Sequence, residues 1–186
     1  MTGAQAMARM LEDYGVTHIF HVPAILRRTM VELEASTSIK RVRTHGEKSA
    51  AYMADGYARA TGKTGVAFVT SGPGATNTVT GLLNAVMDSV PMVVITGQVA
   101  VGVIGTDAFQ EADTTGITRP CTKHNYLVKD ANEIGRTVHE AFYVATQGRP
   151  GPVVIDLPKD ICVNQGIYET PDLDNLQHKT YRPPEQ

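Results

Sequence analysis

A chain of 186 residues with 42% hydrophobic and 19% charged side chains carries enough apolar material for one packed domain, with or without a tail. A formal charge of −2, sparse aromatics and no tryptophan leave neither the basic field nor the stacking surface that nucleic-acid binding needs. No apolar run is long enough to cross a bilayer, and Cys121 and Cys162 stand far apart without metal-ligand spacing, so two ordinary thiols in a reducing cytoplasm are expected.

The opening MTGAQAMARMLEDYGV has no basic segment leading into an apolar block and does not read as a signal peptide. It predicts a helix over 3–14, with Thr2 as N-cap and Gly15 as stop. VTHIFHV (16–22) predicts the first strand, followed by a helix over 26–35 and the strand IKRVRT (39–44). A helix over 47–61 leads to GVAFVTS (65–71), and a helix over 75–88 to MVVITG (92–97). The segment 98–125 has scattered Gly, Thr and Asp with no sustained period, as functional or interface loops do. YLVK (126–129) is the next strand. A helix over 131–146 then sets Ile134, Val138, Ala141 and Ala145 on one stripe before Gly148. PVVIDL (152–157) is the last strand, and the polar, proline-bearing stretch from 163 reads as a linker.

Strands alternate with helices, and several strands are apolar on both faces. Together these predict a three-layer α/β/α domain over 1–162 with a mainly parallel central sheet, and a tail over 163–186.

GYARATGKT (56–64) approaches the phosphate-loop pattern but has five residues, not four, between Gly56 and Gly62. It also closes a helix and feeds a strand, whereas a phosphate loop follows a strand and opens a helix. Gly62 fits better as a left-handed helix stop with Lys63 near the negative end. In the helix before it, Glu47, Ala50, Ala51, Ala54 and Ala58 share a face smooth enough for another backbone or helix to approach. That face is expected to need a partner subunit to cover it. Glu47 at its head is either a partly desolvated functional carboxylate or a complement to the helix dipole. Asp55 and Arg59 form an i,i+4 pair, worth roughly 0.3–0.5 kcal/mol if exposed.

TSGPGATN (70–77) follows a strand and precedes a helix, the right context for a glycine-rich phosphate loop. It lacks the third glycine of a dinucleotide fingerprint and belongs to a middle strand, and a plain turn fixed by Pro73 is the simpler reading.

Taken in order, HGEKSAAYMADGYARATGK, TSGPGATNTVTGLLNAVMDSVPMVVITGQV, IGTDAFQEADTTGITRPCTKHNYLV and GRPGPVVIDLPKD resemble the pyrimidine-binding domain of thiamine-diphosphate enzymes. The closest resemblance is to acetohydroxyacid (acetolactate) synthase large subunits, over roughly residues 3–162. The resemblance implies a cofactor lying across a dimer interface, with Glu47 hydrogen-bonded to the pyrimidine ring nitrogen and acting in proton transfer. It places Pro73 and Asn77 on the pyrimidine pocket. Phe109 and Gln110 would face the reacting end of cofactor and substrate, Gln110 in a catalytic position. The implied reaction decarboxylates a 2-keto acid such as pyruvate and adds the remainder to a second keto acid.

The chain also departs from the family pattern. FHVPAIL (20–26) stands where a glycine-rich GYPGG stretch is usual, so His21, Val22 and Ala24 change residues close to the active centre. Arg27 and Arg28 stand where the synthases are apolar or mixed. No segment resembles the central domain or the motif that holds Mg²⁺ and diphosphate. The expected entity is therefore half of a cofactor site, completed by a diphosphate-binding domain or subunit, in a homodimer or higher oligomer. Two other readings remain open: a non-catalytic assembly module that keeps the fold, and a subunit of a split keto-acid decarboxylase.

Overall fold

The computed structural model describes residues 1–22 and 26–168. In chain order the elements are α1 (Gly3–Asp13), β1 (His18–His21), α2 (Arg27–Ser36), β2 (Lys40–Arg43), α3 (Glu47–Thr61), β3 (Gly65–Val69), α4 (Pro73–Asn77), α5 (Val79–Met87), β4 (Met92–Gln98), α6 (Thr114–Thr118), β5 (His124–Leu127), α7 (Ile134–Thr146) and β6 (Pro152–Pro158). The six strands form one sheet in the order β2-β1-β3-β4-β6-β5, and every pairing is parallel. The predicted α/β fold with a parallel central sheet is what the chain adopts.

The period of two along the strands decides which layer each side chain joins. Val66, Phe68, Val93, Ile95, Val153 and Ile155 enter the core beneath α1 and α7. The intervening Ala67, Val69, Met92, Val94 and Val154 enter the opposite core, beneath α3 and α5. Both faces are covered by helices, which is why β3, β4 and β6 are buried at every residue.

Local signals set several boundaries. Thr2 Oγ1 accepts from the Gln5 amide at 3.3 Å and Gln5 Oε1 accepts from the Thr2 amide at 3.0 Å, a reciprocal capping box. Gly62 ends α3 in the left-handed region, its amide donating to the Ala58 carbonyl at 2.9 Å. The helix expected over 75–88 is instead α4 and α5, divided at Thr78. There the Thr78 hydroxyl donates to the Ala75 carbonyl at 2.6 Å, a local bond that competes with continued helix. β5 starts two residues before the predicted YLVK strand, because pairing with β6 sets His124 opposite Val153. α7 begins at Ile134, after a 3₁₀ turn over Ala131–Glu133. The segment 98–125 is not wholly irregular: the Asp113 side chain accepts from the Gly116 amide at 2.9 Å and caps α6.

Two expectations about α3 are corrected. The alanine face is covered by the chain's own sheet and α5, with Ala50, Ala51 and Ala54 at 0% exposure, so it needs no partner subunit. The periodicity identified a buried face correctly but could not say what buries it. Close approach is made possible by Gly65 at the start of β3, where a Cβ would lie 2.1 Å from the Ala54 carbonyl oxygen. Asp55 is likewise no exposed pair member, at 5% exposure. Arg59 grips it through Nε at 2.8 Å and Nη2 at 3.2 Å and reaches Asp88 at 2.7 Å.

Beyond β6, residues as far as Tyr168 run beside the start of α1. The Gly3 amide donates to the Asn164 carbonyl at 3.1 Å, and the Gly166 amide to that of Met1 at 3.0 Å. Both cysteines are free and buried, and among the described residues no helix is long and apolar enough to cross a membrane.

Candidate functional site

The connection after β1 runs through α2 on the α1 face of the sheet and the one after β3 through α4 and α5 on the other, so the order reverses between these neighbouring strands and a crevice opens at the carboxyl edge. Four elements deliver side chains to that edge: the start of α3 after β2, the loop after β3, the long segment after β4 and the turn after β6. Thr44 fixes the first of these. Its amide donates to the His21 carbonyl at 2.8 Å, and its hydroxyl lies 3.0 Å from the Gly46 carbonyl, setting the turn into α3.

Glu47 is the first residue of α3 and is half-buried. Its Oε2 accepts from Asn77 Nδ2 at 3.2 Å, a contact spanning 30 residues of sequence. Oε1 receives no hydrogen bond from any described residue. It lies over Gly74, where a Cβ would stand 3.1 Å from Oε1 and 2.3 Å from Thr70 Cγ2. The absence of a side chain at 74 therefore keeps one face of the carboxylate open. One carboxylate oxygen is held and the other is presented.

The β3–α4 loop also touches the segment after β4. Gly72 has φ +43, and a Cβ there would lie 2.4 Å from the Gln110 carbonyl oxygen, so no other residue fits the crossing. Gln110 itself sits at φ +61, a left-handed conformation costly for a residue with a side chain. Glu111 organises the turn. Its carboxylate accepts from the Gly105 amide, and from the Ala108 amide at 3.0 Å, and these bonds hold its pKa below the usual range. A groove of about 530 Å³ results, lined among others by Arg27, Thr70, Ser71, Phe109, Gln110 and Lys159. Ser71 is fully buried and its Oγ has no partner among the described residues.

Of the residues singled out in the sequence, Glu47 and Asn77 meet directly, and Pro73 lies exposed at the first position of α4. Phe109, 88% exposed, and Gln110 line the neighbouring groove, whose lining does not include Glu47. Val22 is half-buried, its amide donating to the Phe68 carbonyl at 3.2 Å; Ala24 lies outside the described residues. The polar groove residues Ser71, Lys159 and Arg27 carry no role in the sequence reading. Lys159 directly follows the last strand, and its amide donates to the Gln98 carbonyl at 3.0 Å. The rule that ligands gather at the carboxyl ends of parallel strands would have found it.

A buried carboxylate stands just behind this edge. Asp156 on β6 is 1% exposed and accepts from Thr96 Oγ1 at 2.7 Å and Gln98 Nε2 at 2.8 Å. Burial pushes its pKa up to about 6, against the opposing effect of those two bonds.

A parallel α/β sheet with a half-buried carboxylate and a glycine-rich loop at its switch point defines a small-molecule or cofactor-binding domain. The particular kind follows from comparison: residues 1–117 match the family described as "Thiamine pyrophosphate enzyme, N-terminal TPP binding domain", and the chain belongs to that family. It is 49% identical over 186 residues to the acetolactate synthase large subunit of Buchnera aphidicola, covering 98% of this chain and 32% of that one. It is 50% identical over 172 residues to the acetolactate synthase of Mycobacterium bovis, covering 92% and 28%. The acetolactate synthase isozyme 3 large subunit of Escherichia coli is 46% identical over 186 residues, covering 98% and 32%. The chain thus spans about a third of the length of these relatives and aligns with their N-terminal part.

The residues present fit the pyrimidine end of thiamine diphosphate. Glu47 offers an uncommitted oxygen, and Gly74 leaves a space beside it that any Cβ would fill. Among the described residues no cluster of three or more His, Cys, Asp or Glu side chains is arranged to hold a metal ion.

Proposed function

We propose that this chain is the pyrimidine-binding half-site of a thiamine-diphosphate-dependent 2-keto acid carboligase or decarboxylase, acetolactate synthase-like in its reaction. The observation that carries the reading is the pairing of Glu47 with Asn77, which leaves Oε1 facing the gap over Gly74. Thiamine diphosphate, when bound, supplies the electron sink for breaking and making a carbon–carbon bond beside a ketone. Glu47 would hold the pyrimidine end and share a proton with it through Oε1, while Asn77 fixes the carboxylate so that this oxygen stays free. Phe109 and Gln110 border the groove through which a keto acid reaches the site, and Phe109 shields it from water once covered. Pro73 walls the pyrimidine pocket.

Mg²⁺ and the diphosphate would be held by a separate domain or subunit. The high exposure of Phe109, together with exposed Pro73 and Asn77, is what a half-site meant to be covered would show. A homodimer or higher oligomer is supported by Tyr52 and Met53 on α3 and Leu83 and Met87 on α5, all exposed apolar side chains. The cytoplasm is the compartment consistent with two free thiols. The alanine face, filled from within, gives no support to the assembly-module reading.

The test is Glu47→Gln in the assembled enzyme. A neutral amide keeps the shape but cannot carry the proton, so turnover should fall by orders of magnitude while the circular dichroism spectrum is unchanged. Turnover like that of the unmodified enzyme would remove Glu47 from the mechanism and the half-site reading with it.

A further inference from the structure

A second recess opens at the same edge of the sheet, between α2 and the outer strand β2. It measures about 470 Å³ and is lined by His21, Arg27, Arg41 and Arg43 together with Glu34 and apolar residues of α2. The β1–β2 register sets His21 directly opposite Arg43. Three guanidiniums therefore share the recess with one carboxylate. Glu34 is committed to Arg41 at 2.8 Å, and Arg41 also donates to the Met30 carbonyl at 3.3 Å. Arg27 and Arg43 have no acidic partner among the described residues.

An exposed arginine alone would simply be solvated, but His21 is different. The residue is 8% exposed, and its Nδ1 is buried without a hydrogen-bond partner among the described residues. A buried polar atom left unpaired is costly, and the cost vanishes when an acceptor or donor arrives. Burial, then the neighbouring Arg41 and Arg43, depress the His21 pKa and so disfavour the charged ring; the neutral imidazole still has one N–H to offer beside two positive groups. We infer that His21, Arg27 and Arg43 form a subsite for an oxyanion group of a small molecule: a carboxylate, sulfonate or phosphate.

The location identifies the favoured source. Arg27 lines both this recess and the groove containing Phe109 and Gln110, and Arg43 ends the strand that leads into Glu47. A ligand whose keto acid end lies in the groove would place a second acidic group in the recess. That assignment of the oxyanion to a dianionic keto acid rests on the half-site reading; the oxyanion subsite itself does not.

The experiment is a nuclear magnetic resonance titration of the isotope-labelled chain at constant ionic strength, following the His21 ring and Arg43 side-chain signals. With inorganic sulfate, a saturable single-site shift is expected. Arg43→Gln should weaken it at least tenfold, and Arg28→Gln, exposed and outside both recesses, less than twofold. Shifts that never saturate, or equal weakening in the two variants, would reduce the recess to general electrostatic attraction and overturn the inference. Titration with pyruvate and 2-oxoglutarate then separates the sources. Tighter binding of 2-oxoglutarate by tenfold or more assigns the subsite to a substrate's second acid, whereas sulfate binding more tightly than either assigns it to a free inorganic anion. No cofactor or turnover is needed, so the outcome is independent of whether Glu47 is catalytic.

Discussion

Asn77 donates its side-chain amide to Glu47 at 3.2 Å, and the two residues come from different helices on either side of β3. The bond is made by an exposed amide to a half-buried carboxylate, so it contributes little to core packing. Its effect is directional: it selects which oxygen of Glu47 faces the gap over Gly74.

Removing that bond should act on turnover more than on stability. Hydrogen bonds to charged groups contribute about 1.5–3 kcal/mol, which corresponds to roughly ten- to a hundredfold in rate if orientation matters in the transition state. Asn77→Ala in the assembled enzyme is expected to lower kcat by that factor with little change in melting temperature. Steady-state kinetics beside a thermal melt checks this, and an unchanged kcat would separate Asn77 from the orientation of Glu47.

Gln110 carries its conformation at a cost. A left-handed residue with a side chain is strained by about 1 kcal/mol or more, and glycine is not. Gln110→Gly should therefore melt no lower than the unmodified chain while the assembled enzyme loses activity. Gln110→Ala, which keeps the strain and loses the amide, should lose activity without gaining stability. If both variants remain fully active, the loop conformation serves packing against Gly72 and nothing more.

Asp156 gives a pH signature whose sign is opposite to that of a salt-bridged carboxylate. Its pKa is up at about 6 in the folded chain, so the native state binds the proton more tightly than the unfolded one. The associated stability is fully present below the unfolded value near 4 and is lost as pH rises through about 6. The loss is on the order of 3 kcal/mol from the shift alone. Urea unfolding of the chain and of Asp156→Asn between pH 4 and 7.5 should give a difference that changes over this window. Parallel pH profiles would show that Asp156 stays ionised throughout.

The Asp55–Arg59–Asp88 cluster is asymmetric in burial, and substitution should expose that. Arg59→Met leaves Asp55 buried without its bidentate partner, whereas Arg9→Met removes only an exposed i,i+4 contact with Asp13. The urea midpoint should fall clearly for the first and hardly at all for the second. Adding Asp55→Ala to Arg59→Met should recover much of the loss, because no unpaired carboxylate then remains buried.

How far these features can be read from the sequence depends on how local they are. Caps at Thr2 and Gly62 and the apolar strands follow from nearest neighbours, and Glu47 and Asn77 stand in motifs whose order is preserved. Asp156 is not legible in the sequence because VVID reads as a plain apolar strand; its partners Thr96 and Gln98 come from another strand that only sheet pairing supplies. Misreading the alanine face has the same origin, since helical periodicity reports burial without naming the covering surface. His21 and Arg43 lie 22 positions apart in the chain and become neighbours through the β1–β2 register alone.

At Gly65, where a single hydrogen atom stands in place of a methyl, α3 rests its Ala54 carbonyl almost on the sheet. The helix works there as a lever with its bearing at Ala54 and its tip at Glu47, about two turns away. Any larger residue at 65 would lift the bearing and tilt the tip. The aim of a carboxylate at the carboxyl edge of the sheet is thus set by clearance about two helical turns away, at the start of β3.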